Sequence, residues 1–369
     1  MCIRDRLKIL MSNECLYNCE YCPNRRSADV PRARISPEDL CSLTINFYKR
    51  NYIEGLFLSS AVFDTPDRTM EALLRTVKML RTQYNFNGYI HLKGIPHADQ
   101  SLVLEAAKYA DRMSYNIELP SEKSLLLLAP QKTKESLVNP MKRLSAALTY
   151  QKENRIRRGR ILPAGQTTQM IVGASPESDG QILRLTQYLY RCMQLKRVYY
   201  SSYIPVISSP ILPAKPAGLL REHRLYQSDW LLRFYGFSVE EICGIGENLS
   251  EDYDPKCAWA LKNMHLFPVE VNRAPLEMLL RVPGIGAKSA YRITEARRFT
   301  SLGFEDLEKM RVVLKRAKHF ITCKGKFYGS DGGNVRALLA EKNIEKPEDE
   351  QLSLFSDNSN ALRAITGQL

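Results

Sequence analysis

The 369-residue sequence has no uninterrupted apolar run long enough to cross a bilayer, and no stretch reads as a charged, apolar, small-residue export signal. These absences point away from a membrane span and from a secreted scaffold built on disulfides, so the chain is expected to be soluble and cytoplasmic. Acidic charge is in short supply as well: 40 Asp and Glu face 53 Lys and Arg, a formal net charge of +13. Such an excess bears on association and not on fold, and it favours a polyanionic partner, nucleic acid first. What the chain does have is a 44% hydrophobic fraction, ample for packed cores, and a length suggesting two domains. It also has nine cysteines, an odd number in a chain without an export signal, and three of them crowd into one short loop. Metal chemistry fits that usage better than cross-linking.

Short β-like runs alternate with helical stretches as far as about residue 205. The strand candidates are 7–11, 55–60, 88–93, 112–118, 167–173 and 197–204, with amphipathic segments at 36–49, 68–84 and 178–193 between them. This alternation predicts an α/β fold with a parallel sheet. Central parallel strands covered on both sides are apolar on both faces, and these are not: Tyr89, His91 and Lys93 alternate with Ile90 and Leu92, while Ser114, Asn116 and Glu118 alternate with Met113, Tyr115 and Ile117. One consistently polar face describes a partial barrel with a polar lumen; a flat sheet with a solvated edge is the alternative. The segment 1–6, MCIRDR, abuts the first strand with no lead-in and resembles a translated adaptor, so Cys2 is given no role.

Cys15, Cys19 and Cys22 stand as Cys-x3-Cys-x2-Cys directly after the first strand, with Tyr21 before the third cysteine. A cubane cluster needs soft thiolate ligands, and three of them leave one iron open to an external ligand. A closed zinc site wants four ligands, and no other Cys or His lies near this loop. The motif resembles that of the radical S-adenosylmethionine superfamily, over residues 7–205. The resemblance implies a partial (β/α)6 TIM-like barrel, a 4Fe-4S cluster on Cys15, Cys19 and Cys22, and S-adenosylmethionine chelated to the open iron. Reductive cleavage of that cofactor to a 5′-deoxyadenosyl radical would follow, with an electron donor such as flavodoxin or ferredoxin. It further implies that Tyr21 contacts the adenine and that Asn116 and Glu118 meet the ribose or the methionine carboxylate. Where the family often has Gly-Gly-Glu this chain has Ser59-Ser60-Ala61, so the amino-group role falls to Ser59 and Ser60. Glu118 has a second reading, as an ion-pair partner of Lys93 across neighbouring strands. His91 is expected to be a hydrogen-bonded core imidazole, and Cys41, Cys192, Cys243, Cys257 and Cys323 to be packing residues.

Farther on, Val282-Pro283-Gly284-Ile285-Gly286 separates helical stretches 274–281 and 287–298, with Lys288 and Arg292 one turn apart on the second. The glycines allow a tight turn whose amides face a phosphate. The pattern of Leu279, Pro283, Gly284, Ile285, Gly286, Ala290 and Ile293 resembles the helix-hairpin-helix motif, which grips the DNA backbone without reading sequence. Residues 272–326 carry thirteen Lys and Arg, more than twice their acids. A second, degenerate hairpin is expected around 310–317, with Arg311 where such turns favour glycine. A hairpin that binds another protein is the alternative.

Boundaries follow from these readings: a barrel at 7–205, a helical connector at 206–269, a small all-α hairpin domain at 270–326, and a structureless tail at 327–369. Within that tail Gln351, Leu352, Ser353, Leu354 and Phe355 look like the bacterial sliding-clamp binding peptide, a short segment that docks into a groove; folding back onto the domain is the alternative. Taken together the chain resembles a family of DNA modification or repair radical S-adenosylmethionine proteins often encoded beside a uracil-DNA-glycosylase-like protein. The implied function is radical base modification or lesion repair on DNA. Radical modification of RNA, and a non-catalytic iron-sulfur adaptor at the clamp, remain as alternatives.

Overall fold

Hydroxyl and carboxylate side chains mark where the helices begin. Ser36 Oγ accepts from the Asp39 amide at 3.0 Å, Thr65 Oγ1 from Arg68 at 3.1 Å, and Thr133 with Ser136 forms a reciprocal capping box. Each satisfies amides that have no partner in the first turn. In this computed structural model, which describes residues 6–156, 159, 161–330 and 332–340, those helices alternate with strands in the expected order. They are β1 (Arg6–Leu10), α1 (Pro37–Lys49), β2 (Gly55–Ser59), α2 (Pro66–Thr82), β3 (Tyr89–Lys93), α3 (Gln100–Ala106), β4 (Arg112–Ser114), α4 (Glu122–Leu128), α5 (Lys134–Glu153), β5 (Gln166–Val172), α6 (Asp179–Met193) and β6 (Arg197–Ser202).

The six strands pair in sequential order, all parallel, from β1 to β6. Among the described residues β6 does not return to β1, so the curled sheet is an open barrel. The side-chain alternation does what it implied. Leu56, Leu58, Ile90, Leu92, Met113, Met170 and Val172 are fully buried beneath the helices, while the lumen holds Phe57 and His91 edge to face at 4.5 Å. His91 Nε2 meets Ser114 Oγ at 3.0 Å. Burial, reinforced by Arg112 and Arg6, drops the His91 pKa to about 3, so the imidazole is neutral, as a core residue should be.

One strand differs from expectation by more than two residues at an end. β4 ends at Ser114 instead of running to 118, because Thr168 Oγ1 enters the ladder, accepting from the Ile117 amide at 3.0 Å and donating to the Tyr115 carbonyl at 2.7 Å. Pairing resumes at Glu118, whose φ is +65° and whose backbone bonds to Gln169 and Ile171. The inserted side chain makes a bulge that re-aims the residues after it.

The described residues divide into two compact units, one of 6–177 and 188–218 and the other of 178–187 and 219–340. The expected connector at 206–269 is thus split, its first part grouping with the barrel. The second unit contains α7 (Leu219–Phe234), α8 (Val239–Ile242), α9 (Pro255–Lys262), β7 (Val269–Glu270), α10 (Leu276–Arg281), α11 (Ala287–Ala296), α12 (Phe304–Lys309), α13 (Leu314–Ala317), β8 (Ile321–Cys323), β9 (Lys326–Phe327) and α14 (Gly332–Leu339). It is not all-α: β7, β8 and β9 form a small sheet, pinned by the Glu270 carboxylate, which accepts from the amides of Lys324 and Gly325. Nor is the stretch after 326 wholly structureless, since β9 and α14 lie there. The acidic stretch 244–254 is structural, with Asn248 and Leu249 bonding the buried Asp179, which also pairs with Arg221 at 2.7 Å. Cys41, Cys243, Cys257 and Cys323 are buried as expected, but Cys192, on α6, is exposed and is no packing residue. Residues 351–355 lie outside the described residues. No described helix is long and apolar enough to cross a membrane.

Candidate active site

The loop from Ser12 to Ile35 rises from the end of β1 and returns beside it, through a Ser12–Arg34 antiparallel bridge and an Ile35 amide to Met11 carbonyl bond of 2.9 Å. Neighbouring loops hold it in place. Leu16 donates to Val62 beyond β2, Glu20 to Leu128 at the end of α4, and Asn18 to the Gln131 side chain. Inside the loop, Cys22 donates to the Cys19 carbonyl at 3.0 Å, closing a turn between two of the thiols. Ser27 bonds Asn18 Oδ1 through both its amide and its hydroxyl.

All three cysteines of the motif border a cavity of about 290 Å³ at the carboxyl ends of the strands, as do Tyr21, Ser59, Ser60, Asn116 and Glu118. The sequence-derived residues are thus brought together from three separate segments of the barrel. Cys19 is buried, and Cys15 and Cys22 are partly exposed. Burial pushes the Cys19 thiol up to about 11 against an opposing pull from Lys132, and burial also raises Cys22. Among the described residues no three His, Cys, Asp or Glu side chains converge as they would on a single metal ion.

Charge at the cavity floor is arranged differently from expectation. Glu118 pairs with Lys132 at 2.8 Å, and not with Lys93; both members are nearly buried, 13% and 12% exposed. Lys132 follows α4 and meets Glu118, whose backbone is left-handed at φ +65°. Burial opposes ionisation of both groups, yet each outweighs it for the other: Lys132, with Lys93, holds Glu118 below the usual carboxylate range, and Glu118 holds Lys132 well above the usual amine. Lys93 enters the same cavity from β3, its pKa lowered by burial that Glu118 only partly offsets. Burial, with the Glu118 charge behind it, raises the Tyr21 phenol well above its ordinary value.

Among the described residues, Ser60 Oγ and Tyr115 Oη on the cavity wall are buried with no hydrogen-bond partner. Buried polar groups are almost always paired, so these two mark where a polar ligand would satisfy them. Tyr115 lies where it does because residue 94 is glycine: a Cβ there would sit 2.1 Å from the ring. Lys132 and Tyr115 escaped sequence reasoning, the first because nothing in a loop betrays a partner 14 positions away, the second because its alternation assigned it to the apolar face.

In the second unit, α10 and α11 form a hairpin whose turn places Gly284 at φ +88°, and α12 and α13 form another whose turn places Arg311 at φ +63°. The two turns are bonded to each other, Val313 amide to Gly284 carbonyl at 2.9 Å. Ala290 and Ala317 follow the left-handed residue by the same interval and are both fully buried. Pro283 and Ile285 are buried, so only their backbone can face a ligand, whereas Lys288 and Arg292 are exposed. The amide row at the start of α11 is shorter than expected, because the Tyr235 hydroxyl takes the Ala287 amide at 3.2 Å.

No protein-family model matches the chain, and no curated protein matches it. Similar solved structures exist. The FeFe-hydrogenase maturase HydG from Carboxydothermus hydrogenoformans is 15% identical, with 62% of this chain and 50% of that chain covered and a TM-score of 0.47. Methylornithine synthase (PylB) is 15% identical, covering 62% of each chain, at 0.46. The radical S-adenosylmethionine methyltransferase TsrM from Kitasatospora setae is 11% identical, with 54% of this chain and 36% of that chain covered, at 0.39. The chain thus spans half the HydG chain, and these distant likenesses assign it no activity.

Proposed function

We propose that the chain is a radical S-adenosylmethionine enzyme that acts on nucleic acid, with DNA as the substrate and a base or lesion as the target. The observation that carries the first half is the convergence of the Cys-x3-Cys-x2-Cys loop with two unpartnered buried hydroxyls on one cavity at the mouth of an open parallel barrel.

The residues present fit the two groups. Three thiols that ligate a cubane bind three different irons and need not converge on one point, which agrees with a loop that offers no single-ion site. A 4Fe-4S cluster on Cys15, Cys19 and Cys22, with S-adenosylmethionine on its open iron, would supply the electron that cleaves the sulfonium and so the hydrogen-abstracting 5′-deoxyadenosyl radical. Ser59, Ser60 and Asn116 would bind the polar end of the cofactor, and Tyr21 would border the adenine. The Glu118–Lys132 pair keeps two opposite charges fixed beside the thiols without a free proton to lose, because each holds the other ionised. Tyr21 packs against an apolar cluster formed by Leu119, Leu128, Ala174, Tyr203 and Leu212.

The nucleic-acid half of the reading rests on the paired hairpins and the +13 charge. The remaining amides of the α10–α11 turn, with Lys288 and Arg292, would grip phosphates and leave base choice to the barrel. An acidic tail carrying a clamp-docking segment at 351–355, and a uracil-DNA-glycosylase-like partner, would place the reaction at copied or damaged DNA.

Anaerobic reconstitution with iron and sulfide, followed by dithionite and S-adenosylmethionine, tests the chemistry. Formation of 5′-deoxyadenosine, abolished in Cys19→Ala, is expected; a protein loaded with cluster that forms none refutes the reading. Adding DNA or RNA to the same assay and following hydrogen transfer into the polymer separates the two substrates.

A further inference from the structure

Arg32 bonds more of the cysteine loop than any ligand in it does, and neither composition nor spacing singles it out. Its guanidinium donates to four backbone carbonyls: Asn13 at 2.6 Å, Asn24 at 2.9 Å, Arg25 at 2.7 Å and Ala28 at 2.8 Å. Asn13 lies two residues before Cys15, and Asn24 two residues after Cys22. One rigid fork therefore ties the entry of the thiol loop to its exit.

The neighbouring bonds show how Arg32 is delivered. Asn13 Oδ1 accepts from the Ala33 amide at 2.7 Å and Asn13 Nδ2 donates to the Pro31 carbonyl at 2.8 Å, so the returning chain is fixed on both sides of residue 32. Arg34 faces elsewhere, pairing with Glu14 and, at 3.1 Å, with Asp64 while its guanidinium lies 3.9 Å from the centre of the Phe63 ring. Two arginines two positions apart thus do different work: Arg34 fastens the strand edge and Arg32 fills the loop.

We infer that Arg32 is the positioning residue of the thiol loop, holding Cys15, Cys19 and Cys22 in a ligand-ready arrangement before iron arrives. The inference rests on the reading that these thiols carry the cluster. Four carbonyl dipoles that converge on one point repel each other and lose water, and a planar group with five donors is what satisfies them together. Lysine carries its donors on one nitrogen and cannot span the four. Without the fork the loop would have to be ordered by the incoming metal, and an interaction that orients ligands in this way is worth about 10- to 100-fold in metal retention.

The test compares the parent with Arg32→Gln and Arg32→Lys. After reconstitution, Arg32→Gln is expected to lose iron to a chelator about 10- to 100-fold faster than the parent, with a weakened or altered electron paramagnetic resonance signal of the reduced cluster. Arg32→Lys should fall between, and thermal unfolding of both apo variants should stay within a few degrees of the parent. In the apo proteins, alkylation of Cys15 and Cys22 should be faster in Arg32→Gln than in the parent. Parental iron retention with a parental signal in Arg32→Gln would overturn the inference, as would iron loss matched by an equal loss of fold. If the parent itself takes up no cluster, the proposed function fails; the apo alkylation rates then decide the inference alone, and equal rates overturn it.

Discussion

Lys132 and Glu118 show how much a single buried pair can carry. Neither charge has more than a sliver of solvent, and each is ionised on account of the other. Removing one partner leaves the other uncompensated, which costs far more than the pair contributes. Lys132→Met is expected to destabilise the barrel by roughly 3 kcal/mol in denaturant unfolding, softened if Lys93 turns toward Glu118. The double variant Lys132→Met, Glu118→Gln should recover a large part of that loss. Additive losses in the double variant would show that the two side chains stabilise the fold independently. Sequence reasoning had the right carboxylate and the wrong cation, because strand alternation brings Lys93 into view and no local pattern reveals a lysine that arrives from a loop.

At the scale of elements, the glycines of Val282–Gly286 separate into two jobs. Gly284 combines a φ of +88° with close packing, since a Cβ would approach the Val313 carbonyl to 2.6 Å. Gly286 has an ordinary φ of −79°, and a Cβ there would meet nothing nearer than the Tyr235 hydroxyl at 3.8 Å. Gly284→Ala is therefore expected to destabilise the second unit by about 1 to 3 kcal/mol, and Gly286→Ala to leave stability within about 0.5 kcal/mol of the parent. Chemical unfolding of the two variants checks this; equal effects would contradict the assignment. It follows that the proposed nucleic-acid binding is better probed at Gly286 than at Gly284, where loss of binding would be confounded with loss of fold. The same logic explains the second hairpin: Arg311 takes the left-handed position that Gly284 takes in the first, so the repeat survives a residue that sequence alone marked as a misfit.

For the whole molecule, the proposed function assigns binding to one compact unit and radical chemistry to the other, so the two should separate by mutation. On the proposed phosphate grip, Lys288→Ser with Arg292→Ser removes two contacts, and the slope of log affinity against log salt should become shallower by about 2 on duplex DNA, whatever its sequence. Formation of 5′-deoxyadenosine without nucleic acid should be unchanged in the same variant. An unaltered salt slope would remove α11 from the interface, and a fall in the uncoupled reaction would show that the residues also serve the barrel.

Local rules sufficed for the barrel's order of strands and helices, its polar lumen and the thiol loop, since periodicity, caps and cysteine spacing act over neighbouring residues and need no distant partner. The same local rules located the glycine turn of the first hairpin. Tertiary structure decided what depends on chain segments meeting: the early end of β4, where Thr168 from another strand enters the ladder; the Lys132 partner of Glu118; the Tyr235 hydroxyl on the Ala287 amide; and the four carbonyls around Arg32. Hydrogen bonds and ion pairs act over a few ångströms in space regardless of separation along the chain, and spacing in a sequence carries no record of which groups will come that close.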